Sequence, residues 1–243
     1  MRALIVSDVH SNLEALQSVI ADAGTRGGFD RIWSLGDLVG YGPDPGACID
    51  LMRKYDHVGV AGNHDLAAFE RLSTEAFNVY AAAAAEWTMK QLTKDHVGYL
   101  NGLPLGVETD GFTLVHGSPR DPVWEYVVSV ATATVNFQHF DTPWCLVGHS
   151  HISFMCTPTE KAATFLQFPI DEPITLTDQR AIINPGSLGQ PRDGDPSSSY
   201  AIYDSEAGTV SHHRSEYDIA KTQEKMLERG LPQYLADRLT HGR

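Results

Sequence analysis

Five short segments of the sequence carry side chains that bind divalent metals, and each segment follows an apolar run. Their ligand groups are carboxylate, amide and imidazole, with no thiolate, which suits manganese, iron, zinc, nickel or cobalt. The segments are Asp8-Val9-His10, Gly36-Asp37, Gly62-Asn63-His64-Asp65, His116-Gly117 and Gly148-His149-Ser150-His151. Together they form a candidate metal site.

The number of donors favours two ions over one. A tetrahedral ion needs four ligands, whereas two ions that share a bridging carboxylate use seven protein donors, with water completing each shell. In Asp8-x-His10 and His149-x-His151 one residue separates the two ligands. That spacing suits chelation of one ion, either from one face of a strand or from a tight loop.

The elements around these segments predict how they converge. Short β-branched runs at 3–6, 31–35 and 58–61 alternate with amphipathic stretches at 13–23 and 49–55, which indicates a βαβαβ order. In open α/β sheets, ligands bind at the carboxyl ends of the strands. The five segments are therefore expected to meet in one crevice.

The rest of the chain predicts further elements. We expect one helix over 75–92, a hairpin of 105–108 with 112–115 about Asp110-Gly111, a helix near 131–140 and a strand at 144–147. Short strands follow from 154 to 215, and one or two surface helices at 218–229 and 232–239. No repeat or long linker divides the chain, so one domain is predicted.

Composition limits the class of protein. The 243 residues are 42% hydrophobic, which supports a sizeable core. A formal net charge of −13 disfavours binding to long nucleic acids. Cys48, Cys145 and Cys156 show no CxxC spacing and are expected to be reduced and buried. Neither a signal peptide nor a membrane span is indicated, and a cytoplasmic location is expected.

The five segments, in this order, resemble the calcineurin-like metallophosphoesterase superfamily. The stretches 36–45 and 184–196 and the chain length resemble its small bacterial and archaeal branch, similar to the phosphodiesterase YfcE. The resemblance covers 1–217, and 218–243 is predicted to be a C-terminal helical tail packed on the same domain. It implies a four-layer αββα sandwich of two mixed β-sheets flanked by helices, with two metals at one edge.

The resemblance also implies roles for individual residues. Asp37 would bridge two divalent ions, of which manganese is favoured. His64 would contact the substrate phosphate or protonate the leaving oxygen, and Asp65 would orient His64, with a helix N-cap as the alternative for Asp65. The ligands of the first ion would be Asp8, His10 and His151, and those of the second Asn63, His116 and His149.

Residues near the five segments are candidates for contacts with the substrate. Arg192 would bind a phosphate from the loop that follows 181–183, unless that loop only connects strands. Tyr41 would contact the leaving group, with core packing as the alternative. Ser118 and Arg120, just after His116, are further candidates.

The predicted function is metal-dependent hydrolysis of phosphodiester or phosphomonoester bonds in a small phosphorylated substrate, by attack of hydroxide generated at two metals. The alternative is a non-catalytic metal-binding scaffold of the same fold. A scaffold of that kind typically loses ligands or the catalytic histidine, whereas all of them are present here. The sequence leaves open whether the protein forms an oligomer.

Overall fold

The computed structural model describes residues 1–243 as two mixed six-stranded β-sheets flanked by eight helices. The strands are β1 (Arg2–Val6), β2 (Arg31–Ser34), β3 (His57–Gly59), β4 (Gly106–Thr109), β5 (Phe112–Val115), β6 (Trp144–Leu146), β7 (Ser153–Pro158), β8 (Ala163–Leu166), β9 (Pro173–Thr175), β10 (Ala181–Pro185), β11 (Ser198–Asp204) and β12 (Thr209–Ser215). The helices are α1 (Leu13–Thr25), α2 (Pro45–Met52), α3 (Asn63–Ala67), α4 (Val79–Gln91), α5 (Lys94–Asn101), α6 (Val130–Asn136), α7 (Ile219–Glu228) and α8 (Gln233–Asp237).

Each sheet contains a group of parallel strands. The first sheet has the order β3-β2-β1-β11-β12-β9, in which β1, β2 and β3 are parallel. The second has the order β4-β5-β6-β10-β7-β8, in which β5, β6 and β10 are parallel. The candidate ligands follow β1, β2, β3, β5 and β6, so parallel strand ends from both sheets bring them together, as the sequence predicts.

The alternation of side chains along β1 explains the layers. Ala3 and Ile5 face the second sheet, where the ring of Trp33 lies 5.3 Å from that of Phe112. Leu4 belongs to the cluster on the opposite face, under α1 and α2. Because successive residues of a strand point to opposite faces, one strand serves two layers of core.

The outer face of the second sheet is covered by α6. Cys145 and Ile182, from neighbouring strands β6 and β10, pack against Ala133 and Phe137. Two sheets between two helical layers form the four-layer αββα sandwich, and the predicted fold class is confirmed. The free cysteines Cys48, Cys145 and Cys156 are all buried.

Most predicted elements occur near their expected bounds, and one differs. The hairpin of β4 and β5 turns at Asp110 and Gly111, which both have positive φ, as the turn signal predicts. The single helix expected over 75–92 is wrong at its start. A 3-10 turn ends before Phe77, and α4 begins only after Asn78, whose side chain accepts from the backbone N–H of Tyr80 and Ala81. A strong N-cap therefore interrupts a stretch of high helix propensity.

The C-terminal helices α7 and α8 pack on the loops that follow β1 and β2. Lys225 lies 2.6 Å from a carboxylate oxygen of Glu14 and 2.7 Å from one of Asp44. Met226 and Leu235 pack with Tyr41 in a shared apolar cluster. None of the helices is long and apolar enough to cross a bilayer.

Replacing Lys225 by Met should lower the free energy of unfolding by about 2 kcal/mol, because two nearly buried carboxylates lose a charged hydrogen-bond donor. Lys221→Met is the matched control. Lys221 also lies near Glu14, at 3.2 Å, but its side chain is 56% exposed, so its loss should cost less than about 1 kcal/mol. Equal losses of stability in urea titrations would contradict this account of the tail.

Candidate metal centre

The seven predicted ligands are buried together at the carboxyl ends of the parallel strands. Two groups of three have ligand atoms within 4.8 Å of one another. The first group is Asp8, His10 and His151, and the second is Asp37, His116 and His149. The structure therefore brings together residues that lie far apart in the sequence.

In the first group, the ring nitrogens Nε2 of His10 and His151 are 3.1 Å apart. An oxygen of Asp8, Oδ1, lies 3.2 Å from Nε2 of His151 and has no hydrogen-bond partner. The other oxygen of Asp8 accepts from the hydroxyl of Ser7 and from the backbone N–H of His149. One carboxylate oxygen is thus held in place while the other faces the two histidines.

Backbone carbonyls fix the tautomer of both histidines. Nδ1 of His10 lies 3.2 Å from the carbonyl oxygen of Val39, and Nδ1 of His151 lies 2.6 Å from that of Gln190. Each Nδ1 must donate to its carbonyl, which leaves both Nε2 atoms as lone-pair acceptors facing each other. Two acceptors at 3.1 Å repel unless a cation lies between them. This donor set therefore fits a divalent metal.

The second group has the same design. Nδ1 of His116 donates to the carbonyl oxygen of Leu35 at 2.8 Å, so Nε2 is the ring nitrogen that is left to bind a metal. That Nε2 lies 3.1 Å from Oδ1 of Asn63 and 3.0 Å from Nδ1 of His149. Here too acceptor atoms converge on one point, which suits a second cation.

Asp37 belongs to the second group but also lies close to the first. Its Oδ2 is 3.7 Å from Nε2 of His10 and 3.4 Å from Nε2 of His116, one histidine from each group. Its Oδ1 accepts from the backbone N–H of His64 at 2.9 Å. One oxygen is fixed by α3 and the other faces both groups, which is the geometry that a bridging carboxylate requires.

The charges of the site oppose the effect of burial. Burial by itself favours neutral carboxyl groups, yet the neighbouring imidazoles hold the pKa of Asp8 and Asp37 below the ordinary value. Burial also disfavours a charged His116, but the carboxylates of Asp37 and Asp8 raise its pKa to about 9, so a metal at Nε2 of this ring would replace a proton there. Burial lowers the pKa of His10, His149 and His151. The site thus keeps carboxylates ionised and most imidazoles neutral, the forms that bind metals.

Many ligands have a left-handed backbone. The angle φ is positive at Asp8, His10, Asp37, His149 and His151, between 49° and 63°. Asp and His tolerate this region better than most residues, but a run of such positions indicates a functional constraint. Short loops with this conformation turn the side chains inward directly after the strands.

The prediction from spacing that His149 and His151 bind the same ion is wrong. Nδ1 of His149 faces His116, and Nε2 of His151 faces His10. Both residues lie in a loop with positive φ, so their side chains diverge toward the two groups. The split agrees with the ligand sets that the family resemblance implies.

His64 and Asp65 follow Asn63 in α3 but have separate surroundings. The ring of His64 is buried among the rings of Tyr41 and Phe77, with centroids 4.3 and 4.7 Å away, and its Nδ1 has no hydrogen-bond partner. Asp65 does not orient His64, contrary to expectation. Its two carboxylate oxygens accept from the backbone N–H of Gly62 and of Val39. The N-cap of α3 is Gly62, so the N-cap alternative for Asp65 is also wrong: Asp65 is the third residue of the helix, where its carboxylate accepts from the N-cap residue and from Val39 in the Asp37 loop.

A cavity of about 100 Å3 opens above the two groups. Asp37, His64 and Tyr41 line it, and so does Arg192, whose guanidinium donates to the side-chain oxygen of Gln190 at 2.9 Å. The loop that carries Arg192 is thus part of the site. Tyr41 also packs in the core cluster under α7 and α8, which confirms the core-packing alternative, while its contact with a leaving group stays a prediction.

Sequence patterns missed several aromatic residues of this cavity. Phe77, Trp124 and Tyr126 line it, and the ring of Tyr126 stacks on His149 with centroids 3.9 Å apart. Tyr126 belongs to an irregular segment between β5 and α6, where no periodicity marks its direction. For Phe77 the sequence does contain a signal. Asn78 is a residue type that favours helix N-caps, and an N-cap there places Phe77 outside α4.

Ser118 and Arg120 have a different role from the one considered. The hydroxyl of Ser118 donates to Glu125 at 2.7 Å, and Arg120 forms an ion pair with the same carboxylate. Neither residue lines the cavity. They hold together the loop that presents Trp124 and Tyr126.

Comparisons with known proteins agree with this site. Residues 1–208 match the family model of the calcineurin-like phosphoesterase superfamily domain. A metallophosphoesterase from Sphaerobacter thermophilus of known structure is 47% identical, with a TM-score of 0.91 over 100% of this chain and 99% of that one. The chain therefore belongs to the calcineurin-like phosphoesterase superfamily, as its motifs predict.

Two further relatives extend the comparison. An uncharacterized protein from Methanocaldococcus jannaschii is 39% identical, and the match covers 98% of this chain and 97% of that protein. A hypothetical protein from Pyrococcus horikoshii is 18% identical, with a TM-score of 0.80 over 100% of this chain and 98% of that one. The last match shows that the fold persists at low sequence identity.

Asp37→Asn should remove at least one metal equivalent, because the neutral amide has only one oxygen to offer and loses the charge shared by both groups. Elemental analysis after dialysis against manganese measures this directly. Full occupancy by two ions in the folded variant would overturn the bridging role of Asp37.

Gly62→Ala should lower both metal content and stability, because a Cβ atom at Gly62 would collide with the carboxylate and backbone of Asp37. Gly24→Ala is the control. A Cβ at Gly24, within α1, has no neighbour within 4 Å, and the change should stabilise the protein by about 0.5–1 kcal/mol. Normal metal content in Gly62→Ala would show that the Asp37 loop tolerates displacement.

Proposed function

We propose that the protein hydrolyses a phosphodiester or phosphomonoester bond of a small phosphorylated substrate, with two divalent metals, manganese foremost, at this site. The observation that carries the proposal is the shared position of Oδ2 of Asp37, 3.7 Å from His10 and 3.4 Å from His116, at the floor of a cavity. The first metal would be held by Asp8, His10 and His151, and the second by Asn63, His116 and His149. Two bound divalent ions supply a water of lowered pKa and neutralise charge on the phosphate oxygens.

The side chains that line the cavity would bind the phosphate and exclude water from it. Arg192 lines the cavity, and a guanidinium forms paired hydrogen bonds with phosphate. Aromatic side chains make up much of the wall, among them Phe77 and Trp124. They limit access of bulk water and strengthen electrostatic interactions inside the cavity. The small volume favours a phosphoryl group over a bulky one.

His64 would act on the leaving oxygen. Burial lowers its pKa to about 4, although the carboxylate of Asp37 opposes this effect. The ring is therefore neutral at pH 7 and carries one N–H that donates a hydrogen bond. Gly40 makes room for it, because a Cβ at Gly40 would lie 2.5 Å from Nδ1 of His64.

His64→Ala should keep both metals and lower kcat by about 10²–10⁴, the usual contribution of a positioned acid–base group. Metal analysis and turnover are measured on the same preparation. His64→Asn, which retains an N–H donor, should recover part of the rate. Loss of metal together with activity would identify His64 as a ligand instead.

The direct test of the proposal compares initial rates on bis(p-nitrophenyl) phosphate and p-nitrophenyl phosphate, in manganese and after chelation. We expect turnover that chelation abolishes and manganese restores, and the faster substrate separates diesterase from monoesterase. A folded protein that holds two metals but hydrolyses neither substrate would favour the non-catalytic scaffold. The buried His64 and the cavity above a full set of ligands support the enzyme.

A further inference from the structure

A second cavity of about 400 Å3 adjoins the one above the metals. The two share Tyr41, Asn78, Tyr126 and Arg192 as lining residues, so they are neighbours. The far wall comes from the C-terminal helices, which contribute Tyr234 and Arg238. A substrate that extends from the metals past the shared residues would reach the C-terminal tail.

Two arginines border this second cavity, and neither forms an ion pair with an Asp or Glu side chain. Arg192 bonds to the neutral side chain of Gln190, and its Nε is buried without a hydrogen-bond partner. Nε of Arg238 donates to the main-chain oxygen of Arg243, and its two terminal nitrogens form no hydrogen bond with the protein. By contrast, Arg26, Arg53 and Arg214 all form ion pairs with aspartates.

The two positive charges act on each other. Burial and the charge of Arg192 both lower the pKa of Arg238, while Tyr41 and Tyr234 raise it. Both guanidiniums line the second cavity, and each lies 5.8 Å from the centroid of a tyrosine ring, Arg192 from Tyr41 and Arg238 from Tyr234. An anion bound between two guanidiniums would relieve their repulsion and form charge-assisted hydrogen bonds with both.

Exposed aromatic rings complete the cavity. Tyr80 and Tyr234 stack with centroids 4.7 Å apart, and their side chains are 42% and 52% exposed. Tyr126, 45% exposed, lies on the other side and contacts His149. Rings left exposed beside positive charges suit a ligand that has both an aromatic group and an anionic group.

We propose that this second cavity is a leaving-group subsite for phosphoesters whose leaving group carries a second phosphate and an aromatic ring, as in nucleotides. Arg192, which lines both cavities, contacts the reacting phosphate and the second phosphate, and Arg238 contacts the second phosphate only. Tyr80, Tyr126 and Tyr234 contact the ring. The proposal rests on the function above, since it places the reacting phosphate at the metals. It assigns a binding role to the helical tail 218–243.

Equilibrium binding tests the subsite without turnover. The probes are adenosine 5′-(α,β-methylene)diphosphate, which resists hydrolysis between its phosphorus atoms, and the phosphonate analogue of adenosine 5′-monophosphate, in which a methylene group replaces the ester oxygen, both titrated by calorimetry in manganese. The wild-type protein should prefer the diphosphate analogue by about tenfold or more, since two guanidiniums bind its additional phosphate. The ratio of the two dissociation constants is the readout, because it cancels effects common to both probes.

Arg238→Ala should reduce that preference by about tenfold, and Arg238→Lys should retain part of it. Arg71→Ala is the control, because Arg71 is exposed and lies outside both cavities. Tyr234→Leu should weaken the binding of the adenosine diphosphate analogue more than the binding of methylenediphosphonate, because methylenediphosphonate has no ring. If Arg238→Ala misfolds, Arg238→Gln replaces it.

An unchanged preference in a folded Arg238 variant, or none in the wild type, would overturn the subsite. The failure of the proposed function is separate, because it is read from chelator-sensitive hydrolysis of bis(p-nitrophenyl) phosphate by the wild-type protein. Hydrolysis without a preference for the diphosphate analogue removes only the subsite. A preference without hydrolysis removes the phosphoesterase assignment and leaves the second cavity as a binding site for the additional phosphate.

Discussion

The facing acceptor atoms of buried histidines are the constraint on which the site depends. Backbone carbonyls take the Nδ1 protons of His10, His151 and His116, so each ring presents a lone pair inward. Lone pairs only 3.1 Å apart in a buried site are stable when a cation separates them. The left-handed loops, the close glycines and the second-sheet strands all serve to hold these acceptors in place.

The same constraint explains why two sheets are needed. The first sheet supplies Asp8, Asp37 and Asn63 from the ends of three parallel strands, and the second supplies His116 and His149. Face-to-face packing of the sheets aligns these ends at one edge of the sandwich. Gly62 and Gly148 then allow loops from different strands to approach within van der Waals distance. Ligands for each metal position thus come from both sheets.

Much of the fold and of the candidate metal site could be predicted from the sequence. Strand patterns followed by Asp, Asn or His mark strand ends, and the ends of parallel strands meet at one edge of a sheet. The seven ligands and the αββα sandwich follow from that rule and from the family resemblance. The role of Asp65 could not be predicted, because a carboxylate next to a histidine can accept a hydrogen bond from that histidine or from backbone N–H groups. The sequence does not give the directions of those N–H groups. The divergence of His149 and His151 depends on positive φ values that no residue type imposes.

The contribution of the C-terminal helices was also outside the reach of sequence patterns. Their amphipathic character predicts surface packing, and Lys225 and Met226 fulfil it through Glu14, Asp44 and Tyr41. What spacing does not reveal is that Arg238 faces the loop of Arg192 across a cavity. Such a pairing depends on where the helices dock, which is set by contacts more than 180 residues apart in sequence.

Anomalous diffraction from crystals grown in manganese tests the central claim most directly. The account predicts two peaks roughly 3.5–4 Å apart, one contacted by Asp8, His10 and His151 and the other by Asn63, His116 and His149, with Asp37 touching both. A single peak, or two peaks of which Asp37 contacts only one, would contradict it.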